Sequence, residues 1–146
     1  MNKTLQWIKA WLIAGLVTFC LASFAHSQFV LIELLLINVN IGVGDWLSMT
    51  FSDLFGLSLT YGVAIILSLF VAFLVLSLLK AKFNRLSLSL FVVGGGVTIA
   101  AMLLAMQPIL DVTLIAGART TLGFIAQCCA GLVGGWVFAR IHFAKG

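Results

Sequence analysis

The chain has 146 residues, of which 63% are apolar and only 8% charged, and its formal net charge is +4. A soluble domain carries roughly 25% charged residues, so most of this surface must meet lipid rather than water. Nor does the positive balance point to nucleic acid, because the basic residues sit in short segments beside apolar runs instead of along one exposed element.

Lys3 and Lys9 lead into the first apolar run, residues 7–25. A secretory signal has the same order of charge and apolar core, and Ser23-Phe24-Ala25 could pass as its cleavage site. The run is read as a retained signal-anchor helix, and bulky Phe19 before Cys20 argues against lipoprotein processing. Residues 26–56 break the pattern. Residues 29–37 are apolar apart from Glu33 but too short to span a bilayer. Asn38 to Asp45 ends any helix, and 46–55 sets Trp46, Met49 and Leu54 against Asp45, Ser52 and Asp53 in a loosely helical pattern. The expectation is an outer loop of two short helices, interfacial or re-entrant, with His26 solvated where it starts. His142, at the other end of the bundle, is expected to be solvated as well.

Three more spans follow at 57–79, 86–106 and 121–139, each near the ~20 residues that cross ~30 Å of hydrocarbon. The link at 80–85 is short and basic, which predicts two antiparallel hairpins. Trp7, Trp11 and Trp136 fall at one interface and Trp46 at the other, where amphipathic rings anchor. The fold class expected is all-α, a polytopic four-helix transmembrane bundle forming a single domain over 1–146.

Charge placement orients it. Lys3, Lys9, Lys80, Lys82, Arg85, Arg140 and Lys145 fall on one side, while Glu33, Asp45, Asp53 and Asp111 share the other with Arg119 alone. Short positive loops resist translocation, so both termini are expected in the cytoplasm of a bacterial inner membrane type of protein. Basic residues near the surface also attract anionic headgroups, at about 1 kcal/mol each.

Small residues recur at every fourth position: Ala10, Ala14, Thr18 and Ala22; Thr60, Ala64, Ser68 and Ala72; Ala126, Ala130 and Gly134, with Gly131 and Gly135 beside them. Gly94-Gly95-Gly96 adds a close-contact or bending point. Such seams let helix backbones approach in lipid, either within one bundle or between copies of the chain.

Few groups could carry chemistry. Arg119 and the four acids gather at the outer boundary, where Arg119 either pairs with Asp111, Asp53 or Asp45 or binds an anion. Cys20, Cys128, Cys129, Met102 and Met106 share one depth, a soft-donor layer suited to Cu(I) or Hg(II). The adjacent Cys128 and Cys129 resemble the paired membrane cysteines of mercuric transporters, over those two residues only. Gly42-Val43-Gly44-Asp45 resembles the TVGYG filter of potassium channels, with Asn40 where the filter has Thr and Val43 at its aromatic position. No Ser/His/Asp set, paired-carboxylate site or nucleotide-binding glycine loop is present, so neither an enzyme nor a cofactor is expected. The function expected is a non-enzymatic subunit or homo-oligomeric component of a membrane assembly, whose partners are lipid and another membrane protein or itself. An ion or small-solute permeation protein and a soft-metal carrier are the alternatives.

Overall fold

The computed structural model describes residues 3–38, 42–82, 88–110 and 120–143, with side chains for all of these except 82 and 107–110. Among the described residues every regular element is helical: α1 (Lys3–Leu36), α2 (Val43–Leu57), a π-helical turn (Ser58–Gly62), α3 (Val63–Lys82), α4 (Ser89–Leu110) and α5 (Thr121–Phe143). Among the described residues four stretches are long and apolar enough to cross a membrane, with α2, the π turn and α3 counting as one.

The boundaries of the first two spans differ from the expected ones. Helix α1 has 34 residues instead of the 19 of 7–25, and at 1.5 Å per residue it is about 51 Å long. His26-Ser27-Gln28 reads as the end of a span in sequence, yet no Pro or Gly lies between Gly15 and Leu36, so nothing stops the helix there. It ends at Asn38, whose φ of 61° is the left-handed conformation that Asn tolerates, with the Asn38 N–H donating to the Leu35 carbonyl at 3.1 Å. Extended Gly42 caps α2, and its carbonyl accepts from the Trp46 N–H at 3.0 Å. Val43 to Asp45 therefore form the first turn of a helix, where Asp45 complements the positive end of the helix dipole. That conformation differs from the extended carbonyl stack a TVGYG filter requires. Instead of two short interfacial helices, the described part of 26–56 consists of outward continuations of the two neighbouring spans.

Side-chain pairings give the direction of each helix. Gln6 donates to the Ile141 carbonyl at 3.2 Å, and Gln127 donates to the Ala22 carbonyl at 3.0 Å, so α1 and α5 run antiparallel. Trp7 donates to Ser77 at 3.0 Å and Ser27 to Asp53 at 2.9 Å, which sets α1 antiparallel to the α2–α3 stretch. Leu76 packs on Gly94, and Gly95 on Gly131, which places α4 against both α3 and α5.

The backbones approach most closely along the α4–α5 contact. A methyl group at Gly95 would collide with the Gly131 carbonyl oxygen, one at Gly135 with the Phe91 carbonyl oxygen, and one at Gly131 would lie 2.5 Å from the Gly95 oxygen. On its other side α5 meets α1, where a methyl at Gly134 would strike the Thr18 hydroxyl. Ala14 and Thr18 are fully buried and Ala130 nearly so, while Ala64, Ser68 and Gly94 are half-buried and Gly95 and Gly96 buried. The α5 seam is thus filled by the chain's own helices and is not open to a second copy. In lipid such contacts are held by dispersion at short range, which needs side chains no larger than these.

One end of the bundle is aromatic and basic. Phe138 stacks on Phe73 with centroids 4.3 Å apart and on Phe91 at 5.5 Å. Lys80 sits 3.3 Å from the centroid of Phe143, and Arg140 lies 5.2 Å from Trp136. Lys3 and Lys9 occupy the first turns of α1 at this same end, whereas Glu33, Asp45 and Asp53 are all at the opposite one. Arg85, Lys145, Asp111 and Arg119 lie outside the described residues.

Candidate functional site

The polar side chains of the interior gather around the π-helical turn. Its extra residue per turn shifts the helical phase, a feature that often marks functional positions. Here Tyr61 is turned fully into the core. Its Oη donates to Gln127 Oε1 at 2.8 Å, and Gln127, also fully buried, passes its Nε2–H to the Ala22 carbonyl at 3.0 Å. Three helices are tied by two bonds. Gly62 makes room for the Phe19 ring, which would lie 3.2 Å from a methyl at that position.

One turn further out, Ser23, His26 and Ser27 line the same face of α1, and His26 is only 7% exposed. That corrects the expectation of a solvated His26. Because α1 continues past it and α2 packs back against α1, the imidazole ends inside the helix contact. The Ser27 hydroxyl lies 2.9 Å from Asp53 Oδ2 and 3.2 Å from the Ser23 carbonyl. Gln28 Oε1 accepts from the Trp46 indole at 3.1 Å. Ser23 Oγ is buried with no hydrogen-bond partner.

This belt contains a phenol, an amide, an imidazole and a carboxylate, and its pairings join one helix to another. A hydroxyl donating to a carboxylate and an amide bridging a phenol to a backbone carbonyl set helix register.

The expected sites are dispersed. Of the described acids Asp53 joins the belt through Ser27; Asp45 is eight residues before it, about 12 Å along the helix, and exposed, and Glu33 is half-buried on α1. Asp111 and Arg119 fall outside the described residues. The sulfurs do not share a face: Cys20 and Cys129 are exposed and Cys128 half-buried, all three as free thiols, whereas Met102 is 9% exposed and Met106 packs against the core. Among the described residues no three His, Cys, Asp or Glu side chains could hold a metal ion together.

The second candidate region falls in residues 26–56, expected as an outer loop of two short helices. Counting outward from the Ala22–Gln127 bond, α5 begins at Thr121, level with residue 28 of α1, so α1 runs on about 12 Å further to Leu36. This overhang is apolar and open. Leu36 is 77% exposed, and Val43, Leu47, Phe51 and Phe55 form a column of exposed large side chains at four-residue spacing. Gly44, Ser48, Ser52 and Gly56 form a parallel exposed column of small ones, and a methyl at Gly44 or Gly56 would meet nothing within 4 Å. No residue of α2 is buried. The four-residue spacing is visible in sequence, and the helical conformation of 43–57 turns it into a face.

No protein family, curated protein or solved structure matches this chain.

Proposed function

We propose that this protein is a non-enzymatic, multi-pass membrane protein that acts as a subunit or homo-oligomeric component of a membrane assembly, and that it joins its partner through the outer overhang of α1 and α2. The apolar overhang carries the reading. Bilayer hydrocarbon is ~30 Å thick, a span that α4 and α5, at 22 and 23 residues, match at about 33–35 Å. The belt of Ser27, Asp53, Gln28 and Trp46 then falls near the outer headgroups, where amphipathic and polar groups belong. Beyond the Ser27–Asp53 pair the exposed Val43, Leu47 and Phe51 would meet water unless another protein covers them. A face that alternates a large column with a small one suits a second helix, whose ridge would enter the groove between them.

The basic end, with Lys3, Lys9, Lys80 and Arg140, is assigned to the cytoplasm of a bacterial inner membrane, which turns the overhang outward. The small-residue seam of α5 plays no part in association, since its neighbours are already in place.

A photo-crosslinking residue at Phe51, compared with one at Leu67 on the lipid-facing side of α3, tests the proposal in intact membranes. Position 51 should capture a discrete partner or a second copy, and the double variant Leu47→Gln/Phe51→Gln should release it while helix content is kept. Purified full-length protein that remains a monomer and captures nothing at position 51 in its native membrane would end the proposal.

A further inference from the structure

We propose that the basic end carries a site for one anionic phospholipid, in the groove between the first turns of α1 and the last turns of α3. The proposal rests on the membrane reading but not on the assembly reading.

The groove encloses about 530 Å³, within the ~300–1,000 Å³ typical of ligand sites. Its floor is rigid. The Trp7 indole is held by its bond to Ser77 Oγ at 3.0 Å and meets Phe70 edge to face, with centroids 5.4 Å apart. Ile8, Leu74 and Leu78 form the walls and remain between 38% and 64% exposed, so the trough opens sideways toward lipid. That shape and lining suit an acyl chain.

The groove ends at Lys3, Thr4 and His142. Lys80 and Arg140 are held against the Phe143 and Trp136 rings, whereas Lys3 projects at the mouth. The described acids, Glu33, Asp45 and Asp53, are all at the far end of the bundle. An ammonium and a hydroxyl at the head of an apolar trough complement a lipid phosphate that keeps a net negative charge. A neutral phospholipid would make no net use of Lys3, and a soluble phosphate would make none of the trough.

The test uses the full chain in a neutral detergent, with lipid retention measured by native mass spectrometry against equimolar phosphatidylglycerol and phosphatidylcholine of the same chains. Wild type should retain one phosphatidylglycerol in preference to phosphatidylcholine. Lys3→Gln should lower that preference by about five-fold, the size of one lysine's attraction to an anionic surface, whereas Lys9→Gln, outside the groove, should leave it unchanged. Leu74→Trp fills the trough and should abolish retention of both lipids; Ile8→Trp serves the same purpose from the opposite wall if the first variant does not fold. Equal retention of the two lipids by wild type would overturn the site. So would equal losses in Lys3→Gln and Lys9→Gln, which would show diffuse surface charge, or full competition by glycerol phosphate without acyl chains.

Discussion

Helices α5 and α2 carry the same sequence signal in opposite environments. Both place small residues at four-residue intervals, Ala126, Ala130 and Gly134 with Gly131 and Gly135 in one, and Gly44, Ser48, Ser52 and Gly56 in the other. In α5 the space beside Gly131, Gly134 and Gly135 is taken by Gly95, Thr18 and Phe91, while in α2 a methyl at Gly44 or Gly56 would meet nothing within 4 Å. A small-residue column records a capacity for close approach and says nothing of whether a neighbour uses it. Helix α5 is flanked by α4 and α1 on two sides. Helix α2 leans on α1 through Trp46 and Asp53 and leaves its other face open.

Substitutions on the two helices should therefore behave in opposite ways. The largest effect is expected at Gly135, where leucine would drive its Cβ into the Phe91 carbonyl of α4. Overpacking against backbone should remove about 3 kcal/mol, read as lost resistance to SDS-induced unfolding in mixed micelles. A normally stable Gly135→Leu would mean that the α4–α5 contact is not what holds the bundle. The same change at Gly134 should unfold the protein instead of releasing a partner from a folded one.

Next comes the belt that joins both regions. Gln127→Ala deletes two bonds and leaves the Tyr61 hydroxyl and the Ala22 carbonyl without their partner, an expected cost of about 2 kcal/mol. Tyr61→Phe removes one of those bonds and should cost about 1 kcal/mol, since interhelical hydrogen bonds in membranes seldom exceed ~1.7 kcal/mol. A null result for both in the same unfolding titration would demote the belt to incidental packing.

The smallest effect has the reverse sign. Gly56→Ala fills open space in a helix and should stabilise the isolated chain by about 0.5–1 kcal/mol, because alanine loses less backbone freedom. A drop in stability would show that Gly56 already has a neighbour within this chain. Gly56→Trp should leave the monomer folded but block whatever docks on α2, seen as lost crosslinking from position 51.

Much of the architecture was legible along the chain. Four apolar stretches and the sorting of Lys3, Lys9, Lys80 and Arg140 away from Glu33, Asp45 and Asp53 follow from hydropathy and charge order, which are properties of consecutive residues. Even the break at Asn38 and the cap at Gly42 were signalled locally. Other features depended on residues far apart in sequence: whether the polar triplet at His26 ends a helix or faces into a contact, that Tyr61 meets Gln127, that Cys20 is exposed while Met102 is turned inward, and which small-residue column is already filled. Helix phase and interhelical register decide these points, and a single residue of π turn or a few ångströms of axial shift is enough to exchange a buried face for an open one.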